Sequence, residues 1–143
     1  MNIPKQFQTY KICHYGVKIN EELLSFVRDD LLDYNLCLLA VVNNGLMIKY
    51  CTRYIDTALC QLAIENNGKS LEFIPDKFRT NDIIFSAIKY SHHALQYIKD
   101  NEINETIIIY ALEFYPTSKL LVKIINENIL LKIAKNKKII IEI

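Results

Sequence analysis

The sequence predicts an all-α fold, a short right-handed solenoid of about four stacked helical hairpins with irregular flanks at both ends. Three observations predict it. A block recurs every 23 to 24 residues, marked by Ala40, Ala63, Ala87 and Ala111. Within each block the apolar residues fall at i, i+1, i+4 and i+5, one stripe of an α-helix. Only three Gly and three Pro occur in 143 residues, too few for a succession of tight β-turns.

Residues 1–34 read as an N-terminal cap region. Tyr10 to Ile19 alternates in part, the pattern of a short strand, and residues 21–32 carry Leu23, Leu24, Phe26, Val27 and Leu31, a helix that closes the array. The blocks proper occupy residues 35–122. Each opens on a helix of roughly ten residues, with Asp56, Asn104 and either Thr80 or Asn81 placed to cap the free N–H groups of the first turn. The first two blocks close with Asn-Asn-Gly, so Gly45 and Gly68 are expected at positive φ, ending the helix. His92 and Pro116 replace them later.

A second apolar pattern follows each turn: Ile48, Tyr50 and Cys51; Leu71, Phe73 and Ile74; Leu95, Tyr97 and Ile98; Leu120, Leu121 and Val122. These read as short second helices, the middle one stopped by Pro75. Two helices joined by a tight turn cannot bury their own faces and must stack on neighbours. The alanines are read as the small residues at which helices approach closely. Residues 123–143 read as a degraded repeat or a terminal strand, and no linker divides the chain, so one domain is expected.

The pattern A-[VI]-x-x-N-G-x-x-L-x-[YF]-[IV]-P, carried by Ala63, Ile64, Asn67, Gly68, Leu71, Phe73, Ile74 and Pro75, resembles an uncharacterised helical repeat family abundant in giant viruses of amoebae. The resemblance covers roughly residues 35–122. It implies an interaction scaffold and no catalytic residue. Abundant Ile, Asn, Tyr and Lys, the residues of adenine- and thymine-rich codons, agree with such a source.

With 51% hydrophobic and 23% charged residues the chain is not disordered, and a net charge of +1 supplies no global field towards nucleic acid or anionic membranes. No apolar run approaches the roughly 20 residues of a membrane span, and residues 1–6 lack the apolar core of a signal peptide. A cytoplasmic location is expected, in the host cytoplasm or virion if the chain is viral. Cys37 and Cys60 hold equivalent stripe positions and read as core residues, with Cys13 and Cys51 outside any disulfide or zinc spacing.

No catalytic, cofactor-binding or metal-binding residue is assigned. His92-His93 and Cys13-His14 lack the spacing of a zinc site. Glu21, Glu22, Asp29 and Asp30 read as a solvated face. Lys132, Lys135, Lys137 and Lys138 read as a solubilising edge beside Ile139, Ile140 and Ile141. The expected role is a non-enzymatic protein-interaction or assembly module, with Ile139, Ile141 and Ile143 as candidate contact residues for self-association or another protein. One rival is a nucleic-acid-binding array, which needs Lys49, Arg53, Lys69, Lys77, Arg79 and Lys99 on one continuous outer face. The other is an enzyme with an unfamiliar site.

Overall fold

The computed structural model describes residues 4–119 and Leu121. Among these residues all regular elements are helical. Five α-helices of ten residues follow one another: α1 (Tyr10–Ile19), α2 (Tyr34–Asn43), α3 (Thr57–Asn66), α4 (Asn81–Tyr90) and α5 (Glu105–Phe114). After α1 to α4, one extended residue leads into a six-residue 3-10 helix: Glu21–Phe26, Gly45–Tyr50, Gly68–Phe73 and His92–Tyr97. Each α-helix with the 3-10 segment behind it is called a unit below. Successive α-helices pack on one another, as do successive 3-10 segments.

The ten-residue helices start where a short polar side chain stands one residue ahead. Thr9, Asp33, Asp56, Thr80 and Asn104 accept the backbone N–H of Ile12, Leu36, Leu59, Ile83 and Ile107, with the Asp and Asn caps at 2.7–3.0 Å. Such a bond satisfies a donor that the helix itself leaves open. The helices stop at Asn20, Asn44, Asn67, Ser91 and Tyr115, whose N–H still reaches the carbonyl four residues back. At Asn20, Asn44 and Asn67 the side-chain Oδ1 then accepts the N–H two residues on. One asparagine thus ends an α-helix and caps the 3-10 segment behind it.

Two expectations for the N-terminal region are corrected. Tyr10–Ile19 is an α-helix, not a strand, because Ile12, Cys13, Gly16 and Val17 repeat the phase of the later blocks and Thr9 caps it. The helix expected over residues 21–32 is shortened to the 3-10 segment Glu21–Phe26. Gln8 folds back over its end, donating to the Phe26 carbonyl at 2.9 Å and accepting the Arg28 N–H at 3.0 Å. The second elements of the blocks are likewise 3-10 segments starting at Gly45, Gly68 and His92.

The glycine expectation is also corrected. Neither Gly45 nor Gly68 lies in the left-handed region. A Cβ at Gly45 would stand 2.2 Å from the Ala63 carbonyl oxygen and 2.9 Å from Ser70 Oγ; at Gly68 it would stand 2.7 Å from the Ala87 oxygen. Each glycine therefore admits the last turn of the next helix against its own backbone. A close approach, and not an unusual dihedral, requires it.

One core runs through the units. Leu36, Leu59, Ile83 and Ile107, the third residue of each helix from α2 on, are at most 2% exposed. Ala40, Ala63, Ala87 and Ala111 are fully buried, as are Ile48 and Leu71 of the 3-10 segments.

Candidate protein-interaction surface

Polar side chains join one unit to the next. Asn66 donates Nδ2 to the Val42 carbonyl at 2.9 Å and accepts the Gly45 N–H at 2.7 Å, satisfying the exposed end of α2 from the end of α3. Asn44 reaches back to Glu21 at 3.2 Å, Tyr54 to the Leu32 carbonyl at 2.7 Å, and Gln61 to Ser86 at 3.2 Å. Arg79 and Glu102 form a buried ion pair, and Lys99 pairs with Asp76 at the surface.

These pairings dispose of much of the chemistry considered from sequence. Arg79 is not on an outer basic face: its side chain is 2% exposed and its guanidinium is spent on Glu102 and on the Leu71 and Tyr97 carbonyls. Lys99 is engaged by Asp76, whose carboxyl it holds below the ordinary value. Of the four acids near α1, Glu21 accepts from Asn44 and Asp30 pairs with Arg28, while Glu22 and Asp29 are exposed.

The four cysteines are buried thiols. Burial pushes Cys60 up to about 11, helped by the Asp56 charge, and raises Cys13. Cys51 is raised by its hydrogen bond to Cys37 and by burial, and its Sγ donates to the Met47 carbonyl at 3.4 Å. A thiol held protonated in the core is no nucleophile. Among the described residues no group of three or more His, Cys, Asp or Glu is placed to hold a metal ion. His92 and His93 stack with ring centroids 3.8 Å apart, and His92 meets Tyr115 edge-on at 5.8 Å. Desolvation, then the charges of His92 and Lys69, lower His93 and favour its neutral form.

What the surface does offer is apolar. Phe7, Tyr10, Ile12, Tyr15, Ile19 and Phe26, all in or beside the first unit, are each at least 40% exposed. A concavity on α1 is lined by Lys11, Ile12, His14, Tyr15 and Gly16. A second exposed group lies on the last helices, where Tyr110 packs against Phe85 at 4.6 Å and Phe114 at 4.9 Å. Sequence reasoning missed the first group because it treated residues 1–34 as a cap. Aligning Cys13 with Cys37 and Cys60 would have exposed a further copy. The candidate contact residues Ile139, Ile141 and Ile143 lie outside the described residues, as do the lysines from Lys132 to Lys138 and the expected fourth second helix apart from Leu121.

Residues 33–79 and 56–103 each match the family described as a domain of unknown function (DUF4116). The two matches begin 23 residues apart (56 − 33), the distance from the α2 cap Asp33 to the α3 cap Asp56. No curated protein and no solved structure matches the chain. No helix among the described residues is long and apolar enough to cross a membrane.

Proposed function

We propose that this chain is a non-enzymatic protein-interaction or assembly module, built as a short solenoid whose units stack in series. The observation that carries the reading is the concentration of exposed apolar side chains on the first unit, Ile12, Tyr15 and Ile19 foremost, in a chain whose polar groups are largely spent on joining unit to unit. Apolar patches of this kind mark surfaces that another molecule covers. Fold alone assigns no activity, so the argument rests on that patch. The resemblance to a repeat family of giant viruses suggests a viral or amoebal source and a place in the host cytoplasm or virion.

The nucleic-acid reading loses support because its basic stripe is broken at Arg79 and Lys99. The test is affinity purification of the full chain from its native cells, followed by mass spectrometry, beside a variant carrying Ile12→Glu, Tyr15→Glu and Ile19→Glu. A protein, this chain included, recovered in stoichiometric amount with the native chain and lost with the variant is expected. Recovery of nucleic acid alone, or no difference between the two, would contradict the reading.

A further inference from the structure

The first unit departs from the others in what it leaves uncovered. The third residue of α2 to α5 is sealed, whereas Ile12 at the same place in α1 is 40% exposed. Gly16 takes the place of the buried alanine and is itself only half-buried, and Tyr15 and Ile19 stand free at 67% and 70%. Ile12, Tyr15, Gly16 and Ile19 fall at i, i+3, i+4 and i+7, one stripe of the helix. α1 therefore turns to solvent the face that each later helix turns to its predecessor.

Inside the chain that face is covered by the opposite stripe of the preceding helix. That stripe is already buried throughout: Cys13 with Val17, Cys37 with Val41, and Cys60 with Ile64 are all at most 5% exposed. A second copy of the chain can thus meet the open face of α1 only with its own α1.

We propose that two copies of this chain associate through α1, face to face about a two-fold axis, a surface that extends the interior interface between units. The proposal rests on the interaction-module reading and names its partner. Ile12 and Ile19 are symmetric about Tyr15 and Gly16, so two antiparallel copies crossing there set Ile12 of one against Ile19 of the other. Gly16, with no side chain, lets the two helices approach at the crossing, and the tyrosines close over it. Such same-patch pairing is the commonest symmetry of soluble oligomers. Lys11, His14 and Lys18 run beside the stripe and α1 carries no acid, so the two copies repel at the edges. Salt screens that repulsion, and the pair tightens as ionic strength rises.

The experiment is sedimentation equilibrium of the full chain from low micromolar concentration upward, at two salt concentrations, with circular dichroism confirming that each variant folds. The native chain is expected to dimerise, more tightly at high salt. Tyr15→Glu and Ile19→Glu, at exposed positions, weaken dimerisation at least tenfold. Val42→Glu, at an exposed position on α2, leaves it unchanged. A mixture of Tyr15→Glu with Tyr15→Lys restores the dimer, because residue 15 of each copy lies near the axis. The proposal is overturned if the native chain stays monomeric, if its dimer survives Tyr15→Glu, or if the mixed variants fail to pair. A native chain that is monomeric alone but carries a different protein on α1 after purification from its cells overturns self-association and leaves the interaction reading standing.

Discussion

Arg79 and Glu102 face each other across the boundary between the third and fourth units in a two-pronged ion pair, Nε to Oε1 at 2.6 Å and Nη2 to Oε2 at 2.7 Å. Nη2 also donates to the Tyr97 carbonyl at 2.7 Å, Nη1 to the Leu71 carbonyl, and the Lys99 N–H reaches Glu102 Oε2 at 2.9 Å. The pair is thus paid for by a full set of partners on both sides, the condition under which a buried charge is tolerated.

Removing one member leaves the other charged and unpaired in the core. Glu102→Gln and Arg79→Met are each expected to cost about 3–5 kcal/mol. Arg79→Lys is nearly as damaging, since an ammonium cannot serve two carbonyls and both carboxylate oxygens. Chemical denaturation measures all three.

The same pair sets a pH dependence. Burial alone would raise the Glu102 carboxyl, but hydrogen bonds from Arg79 and the Lys99 backbone, with their charges, hold it below its ordinary value. A carboxyl depressed on folding adds stability that is complete above the unfolded value of about 4.3 and is lost as pH falls through the folded value. The acid limb of the stability profile should flatten in Glu102→Gln, and an unchanged limb would show that the pair does not set it.

At the glycines, a methyl group has nowhere to go. Gly45→Ala is expected to cost about 1–3 kcal/mol by overpacking against the Ala63 carbonyl. Gly68→Ala should cost less, its contact with Ala87 being 2.7 Å where that of Gly45 with Ala63 is 2.2 Å. Ala63→Leu, in the same layer, belongs to the same range. Thermal or denaturant midpoints give the order.

Ser70 presents the opposite case. Its side-chain oxygen is fully buried without a hydrogen-bond partner. Ser70→Ala removes an unsatisfied group and should be neutral or stabilising by about 1 kcal/mol.

Much of this architecture is legible in the sequence. The apolar phase places α2 to α5, and Asp56 and Asn104 stand where the caps are found, because both signals are local. The first unit escapes the same reading because Gly16 replaces the marker alanine and Glu21 the marker glycine. Gly45 and Gly68 are visible as necessary but not for the right reason, since the carbonyl they admit comes from the next unit, about 18 residues further along the chain. Arg79 reads as an outward charge until its partner is sought one period away: Arg79 to Glu102, Asp76 to Lys99 and Glu21 to Asn44 are each separated by 23 residues. The open face of α1 is a difference in burial between equivalent positions, which only the assembled units reveal.

The measurement that tests serial stacking most directly is circular dichroism during a denaturant titration of a chain lacking residues 33–55. This deletion joins Leu32 to Asp56, so that one helix cap takes the place of another and α3 falls where α2 stood. If the units are equivalent, the shortened chain keeps its helical signal and one cooperative transition, with lower stability and a shallower dependence on denaturant. A helical spectrum lost outright, or no cooperative transition, would contradict it.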